Sequence, residues 1–146
     1  MKRLLPILLL AGCAQAPAPA PAPEPPPVAE TPIKPAPQEN VAIAGLLQSA
    51  RSDSAAGRLT NAAATLERAL RIEPRNPRLW QELARVRLKQ GEYAQAESVA
   101  SRSNSFAGAD GALRAENWRL IAQAREARGD PDGARAAEET AAKLGR

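Results

Sequence analysis

The chain has 146 residues and a net charge of +4, with no histidine and a single cysteine, Cys13. The lack of histidine excludes imidazole catalysis. Thiolate chemistry and the usual zinc sites are excluded too, because Cys13 lies outside the part of the chain that can fold. No metal or other cofactor is therefore predicted. Aromatic residues make up only 3% of the sequence, so the core must consist mainly of Ala, Leu, Ile and Val, which favours closely packed helices.

Residues 1–12 have the pattern of a secretory signal peptide. Lys2 and Arg3 precede an apolar stretch, residues 4–10, and small residues follow it. The apolar stretch is too short to cross a bilayer, since a spanning helix takes about 20 residues. We therefore predict a signal peptide and no transmembrane helix.

The tetrapeptide Leu-Ala-Gly-Cys that ends at Cys13 resembles the lipobox of bacterial lipoproteins. The resemblance implies that Cys13 is acylated and that lipid holds the mature chain on a membrane. Ala14 stands where the inner-membrane retention signal of that family usually has Asp. The resemblance thus implies an outer-membrane lipoprotein that faces the periplasm.

Residues 13–40 contain the acylated cysteine and a proline-rich segment. Ten prolines mixed mainly with Ala, Glu and Gln cannot form a core, and they favour extended polyproline II conformations. We predict a disordered, semi-rigid tether that reaches on the order of 80 Å when fully extended. A run of three prolines, residues 25–27, is an alternative ligand for an aromatic groove on another protein.

From residue 41 onward the sequence repeats itself. Glycines at three positions are separated by 34 and then 38 residues, each has an alanine five residues later, and a large apolar residue lies eleven residues before each. The glycines are Gly57, Gly91 and Gly129, the alanines are Ala62, Ala96 and Ala134, and the apolar residues are Leu46, Trp80 and Trp118. Such a period indicates stacked helical hairpins, in which glycine ends the first helix and small residues allow close packing.

The pattern resembles the tetratricopeptide repeat (TPR). The second copy has Trp80, Gly91 and Ala96 at the positions of the TPR pattern, and the first copy ends at Pro74, as many TPR copies do. The resemblance implies an all-α fold of three helix-turn-helix repeats, at about 43–76, 77–110 and 115–146, stacked as a short right-handed superhelix over residues 41–146. Trp80 and Trp118 are expected to fill the gaps between hairpins, with ligand stacking as the alternative.

Helices are predicted at about 41–55, 58–72, 77–90, 93–105, 112–128 and 131–144. Asn76 is a plausible cap for the third helix. The four extra residues of the longer repeat are predicted to lie in a protruding loop, residues 107–111, which is a possible binding element. Because TPR arrays usually close with an extra polar helix, the last hairpin is predicted to pair with a partner or with a second copy of the chain.

In TPR proteins the first helix of each hairpin lines a concave groove. The side chains expected to bind a partner in this groove are Arg51, Arg78, Gln81, Arg85, Lys89, Arg119 and Gln123. Positive charge should prevail there and favour an acidic peptide, since arginine makes bidentate contacts with carboxylates. Alternatively, these arginines merely solvate a helix face. Basic residues alternate with acidic ones and are not interleaved with aromatics, so no nucleic-acid partner is predicted.

Three functions fit these patterns to different degrees. The favoured one is a non-catalytic adaptor that recruits envelope proteins, similar in layout to lipoproteins that assist cell-wall enzymes. The alternative is an assembly factor resembling the TPR pilotins of type IV pilus secretins, which carry about twice as many repeats. An enzyme is not predicted, because the sequence shows neither a nucleophile–base spacing nor a glycine-rich phosphate loop.

Overall fold

A computed structural model describes residues 40–145, which form six α-helices. These are α1 (Val41–Ala55), α2 (Leu59–Ile72), α3 (Pro77–Lys89), α4 (Tyr93–Phe106), α5 (Gly111–Ala127) and α6 (Pro131–Leu144). This part of the chain contains no β-strand. The predicted all-α fold is confirmed, and every predicted helix end lies within one residue of the observed one.

The helices form three hairpins, α1–α2, α3–α4 and α5–α6, stacked in chain order. Each helix packs against the next one in the chain. In addition, α1 contacts α3 and α3 contacts α5, whereas α2 and α4 do not contact each other, nor do α4 and α6. The first helices of neighbouring hairpins are therefore closer together than the second helices. This difference curves the stack, with α1, α3 and α5 on its inner side.

A glycine closes each hairpin. Gly57, Gly91 and Gly129 have φ angles of 75°, 77° and 79°, a left-handed conformation that residues with a Cβ atom adopt at a cost. The residue after each glycine donates its backbone N–H to the carbonyl group five residues earlier. These bonds are Arg58 to Asp53 at 2.8 Å, Glu92 to Arg87 at 3.0 Å and Asp130 to Arg125 at 3.0 Å. The recurring turn gives the three hairpins the same local geometry.

Side-chain caps start several of the helices. The Asn76 carboxamide oxygen accepts from the backbone N–H groups of Arg78 and Leu79 at 3.0 and 3.4 Å, directly before Pro77. Asp110 caps α5 in the same way, accepting from the N–H of Leu113 at 2.9 Å. These bonds satisfy donors that lack partners within the helix. They also fix where each helix begins.

The core has two parts of different composition. One, shared by α1, α2 and α3, contains mostly large side chains, among them Leu66, Leu79 and Leu83. The other, shared by α3 to α6, consists mainly of alanine, with Leu120 and Ile121 as its large buried residues. Fully buried alanines let helices approach closely, so packing of backbone against backbone replaces large side chains in the second half.

The prediction of a protruding loop between the second and third hairpins is wrong. The connection from α4 to α5 has the same length as the one from α2 to α3, and Ala107 within it is buried. The four extra residues instead lengthen α5, which has 17 residues where α3 has 13. Capping by Asp110 and the burial of Leu113 and Ala115 stabilise this additional turn.

Candidate binding groove

The inner faces of α1, α3 and α5 line a groove of about 610 Å³. Five of the seven predicted groove residues lie along it, namely Arg51, Arg85, Lys89, Arg119 and Gln123. The other two, Arg78 and Gln81, line an adjoining shallow cleft that shares Arg51 with the groove. Leucines and alanines form much of the floor, including Leu66, Leu88 and Leu120.

An ion pair joins the first two hairpins at the wall of the groove. Arg51 on α1 donates from Nε and Nη2 to one carboxylate oxygen of Glu82 on α3, at 2.9 and 2.7 Å. Glu82 is the more buried partner, with 15% of its side chain exposed against 49% for Arg51. Glu82 is absent from the sequence-based set, which took residues at a few fixed spacings from each tryptophan position.

A second set of ion pairs joins the second and third hairpins. Arg85 on α3 donates to Glu116 on α5 at 2.8 Å, and Arg119 donates to the other carboxylate oxygen of Glu116 at 3.0 Å. The two pairs between hairpins, Arg51–Glu82 and Arg85–Glu116, have the same sequence separation of 31 residues. The Nε–H group of Arg85 is buried and has no hydrogen-bond partner among the described residues.

The electrostatics of the groove are therefore mixed, with an excess of positive charge. Four cations line it, Arg51, Arg85, Lys89 and Arg119, together with two carboxylates, Glu82 and Glu116. Lys89 donates to the Ser54 hydroxyl at 2.9 Å rather than to a carboxylate. Three guanidinium groups are thus held in position by internal carboxylates before any ligand arrives.

Gln81 belongs to a buried polar network that the sequence did not predict. Asn117 on α5 is fully buried, and its amide nitrogen donates to the Ser103 hydroxyl at 2.8 Å and to the Asn104 carboxamide at 2.9 Å. Gln81 donates to the Asn117 carboxamide oxygen at 3.1 Å, and Ser103 donates to the carbonyl of Pro77 at 2.8 Å. The network fixes α3, α4 and α5 relative to one another beside the groove.

Both tryptophans are half-buried and pack against the core. Trp80 contacts the leucine-rich part, and its indole N–H donates to the Pro74 carbonyl at 2.8 Å, which ties α3 to the loop before it. Trp118 packs against the alanine-rich part. The second helices each have a buried alanine near their start, at the repeat spacing, where these helices meet their neighbours. These alanines are Ala62, Ala96 and Ala134.

Several predicted features lie outside the described residues. Cys13, the signal peptide and the proline-rich segment up to residue 39 are outside. Between residues 40 and 145, no group of His, Cys, Asp and Glu side chains could hold a metal ion. No helix in that range is both long enough and apolar enough to cross a membrane.

Comparison with known proteins agrees with this architecture. A family model described as tetratricopeptide repeat matches residues 54–115. The globular C-terminal domain of LpoP from P. aeruginosa is similar to the chain, with 48% sequence identity and a TM-score of 0.70. The match covers 71% of this chain and 98% of that domain. No curated protein sequence matches the chain. The chain therefore belongs to the tetratricopeptide-repeat family.

Proposed function

We propose that the protein is a non-catalytic adaptor of the bacterial envelope, which binds a partner protein in the groove between α1, α3 and α5. One observation carries the proposal. Guanidinium groups from all three hairpins lie along one continuous inner face, where Glu82 and Glu116 hold them in position. Such a surface suits the recognition of a peptide segment that spans several repeats.

An acidic segment fits this groove best. The ion pair of Arg85 with Glu116 is exposed on both sides, and exposed pairs are worth about 0 to 1 kcal/mol, so a ligand carboxylate can replace Glu116 with little loss. Lys89 adds a cation that needs no rearrangement of a carboxylate.

Reversal of the groove charges is the direct test. In a variant with Arg51→Glu, Arg85→Glu and Arg119→Glu, capture of envelope proteins by residues 40–146 should be abolished. Affinity for an acidic test peptide, measured by fluorescence anisotropy, should fall about 100-fold or more, since each lost charged hydrogen bond is worth about 1.5 kcal/mol or more.

The matched control reverses three arginines outside the groove, with Arg58→Glu, Arg128→Glu and Arg135→Glu. It changes the net charge by the same amount and should keep both capture and peptide affinity. Equal loss in both variants would mean that net charge, not the groove, governs binding. Peptidoglycan enzymes among the captured proteins would support the adaptor, and secretin subunits would support the pilotin-like alternative.

We also propose that lipid on Cys13 attaches the protein to the periplasmic side of the outer membrane, with residues 14–40 as the tether. The lipobox-like tetrapeptide that ends at Cys13 supports this attachment. Cys13→Ser should move the protein from the membrane fraction to the soluble periplasmic fraction, as detected by immunoblotting. Retention of the variant in outer membranes would contradict lipid anchoring.

Self-association through the last hairpin stays a prediction. Its open face, between α5 and α6, has an apolar floor of Ala122, Pro131 and Ala134 and a charged rim that includes Glu126 and Arg135. Sedimentation of residues 40–146 as monomers up to high concentration would rule this pairing out.

A further inference from the structure

Arginines at the two ends of the hairpins differ in their partners. In the groove and near the glycine turns, arginines are paired with carboxylates, for example Arg87 with Glu67 at 2.6 Å and Arg125 with Glu97 at 2.7 Å. At the opposite end of the hairpins, where α1 begins and where neighbouring hairpins connect, the cations have no ion-pair partner among the described residues. We call this set the basic end: Arg71, Arg75, Arg78, Arg102, Arg114 and Lys143.

The nearby carboxylates do not neutralise the basic end. Glu73 accepts a hydrogen bond from the Asn76 carboxamide at 2.8 Å and so belongs to the loop between α2 and α3. Asp110 caps α5 through the backbone N–H of Leu113. These hydrogen bonds leave both carboxylates charged, but two carboxylates against six cations still leave the basic end with an excess of positive charge.

Aromatic rings hold two of these arginines in place. The Arg102 guanidinium lies 5.2 Å from the centre of the Phe106 ring and 5.8 Å from that of Trp80, and the Arg75 guanidinium lies 5.8 Å from the centre of Phe106. Two like charges are therefore held at one ring, and neither has an ion-pair partner among the described residues. The cation–π contacts stabilise this arrangement, which otherwise opposes folding through charge repulsion.

The N-terminus of helix α1 lies at the basic end. Helix α1 begins there at Val41, so residues 1–40 join the domain on this side. If Cys13 is acylated, as proposed above, this is the end of the domain to which the tether from the membrane is joined. The cations come from five helices and a loop, so they form a broad array rather than a converging pocket.

From these observations we infer that the basic end binds the phosphate headgroups of an anionic lipid bilayer. Arginine binds phosphate in bidentate geometry, and an array spread over several helices suits a surface that carries many phosphates. Trp80 and Phe106 provide amphipathic and apolar ring edges of the kind that settle at a headgroup interface. The domain can then lie on the bilayer or extend away from it on its tether. That this bilayer is the outer membrane rests on the anchor proposed above.

Vesicle binding by residues 40–146, which lack the anchor, tests the inference. The LpoP domain, which the chain covers over 98% of its length, is itself a globular domain, so this fragment is expected to fold alone. It should sediment with vesicles of equal parts phosphatidylglycerol and phosphatidylcholine but not with pure phosphatidylcholine, and binding should weaken as salt is raised.

The variant with Arg71→Gln, Arg75→Gln and Arg102→Gln should lower the partition coefficient on the order of 100-fold, the change that about 1 kcal/mol per basic residue gives. The control with Arg58→Gln, Arg128→Gln and Arg135→Gln loses the same charge elsewhere and should bind nearly as the natural chain does. Circular dichroism shows whether both remain folded. The salt dependence of the unmodified fragment provides a test that needs no substitution.

Two outcomes would overturn the inference. One is equal binding of the unmodified fragment to neutral and anionic vesicles, or to neither. The other is binding of polyglutamate at the basic end without binding of anionic vesicles, which would indicate an acidic protein surface as its ligand. Failure of this inference can be distinguished from failure of the proposed groove function. The groove variant should keep its vesicle binding, and the basic-end variant should keep partner capture.

Discussion

Replacement of Asn117 by alanine should lower the free energy of unfolding by about 3 kcal/mol. The side chain is fully buried and takes part in three hydrogen bonds, as donor to Ser103 and Asn104 and as acceptor from Gln81. Alanine removes all three and leaves a cavity between α3, α4 and α5. Urea denaturation followed by circular dichroism measures the change.

The size of this effect follows from what each partner retains. Ser103 keeps its bond to the Pro77 carbonyl, and Gln81 keeps a long bond of 3.4 Å to the carbonyl of Leu113. Asn104 loses its only side-chain bond, but it is half-buried and can bond to water. No partner is left both fully buried and unpaired, so the loss of stability should be smaller than that for a fully orphaned group. Lost hydrogen bonds at about 1 kcal/mol each, together with the cavity, account for the expected value.

Two further variants make the test specific. Asn61→Ala removes an exposed asparagine from α2 and should change stability by no more than about 0.5 kcal/mol. Asn117→Leu introduces the residue type that the second repeat has at Leu79, so it fills the cavity and removes the hydrogen bonds alone. Its loss of unfolding free energy should lie between those of Asn61→Ala and Asn117→Ala. A leucine variant as stable as the natural protein would mean that the network contributes no net stability.

The fold was predictable because the repeat itself carries the information. The recurring glycines mark the hairpin turns, and the spacing between Trp80 and Gly91 defines the length of a first helix. The Asn117 network gave no such signal, because a single asparagine on a mostly apolar face has no periodic counterpart. Its partners Ser103 and Gln81 lie 14 and 36 residues away, and only the stacking of hairpins brings them together.

Glu82 shows the opposite case, since a signal was present in the sequence. Arg51 and Glu82 have the same separation as Arg85 and Glu116, one repeat later. A search for opposite charges at a constant spacing across repeats would have found both pairs. The prediction counted positions only from the tryptophans. It found the cations of the groove but missed Glu82, one of the carboxylates that orient them.

The error over residues 107–111 has a simple physical basis. Four residues make little more than one turn of α-helix, so an insertion of that size can lengthen α5 while its faces keep nearly the same orientation. The groove residues Arg119 and Gln123 therefore still lie on the inner side with Arg85. A repeat whose length varies by one helical turn need not form a longer loop.

The groove and the basic end should respond differently to salt. In the groove, Glu82 and Glu116 already compensate part of the positive charge, so binding there depends on the replacement of one carboxylate by another. At the basic end, Arg75 and Arg102 have no such compensation, and their attraction to a charged surface is fully exposed to screening. We therefore expect raised salt to release residues 40–146 from anionic vesicles while an acidic peptide stays bound in the groove.

Leu79→Ala should be as damaging as the loss of Asn117, at about 3 kcal/mol. Leu79 is completely buried on α3, in the leucine-rich part of the core that joins the first two hairpins. A domain of this size has a total stability of about 5 to 15 kcal/mol, so this one substitution removes a large share of it. The midpoint of urea denaturation should fall accordingly.

The slope of the denaturation curve tests how the three hairpins depend on one another. The middle hairpin packs against both others, and Val99 on α4 contacts both parts of the core. A lesion at Leu79 should therefore destabilise the whole stack in one transition with an unchanged slope. Val41→Ala, which truncates a side chain that is 86% exposed, should leave the midpoint almost unchanged. A second transition in the Leu79→Ala variant would show instead that the alanine-rich half folds independently.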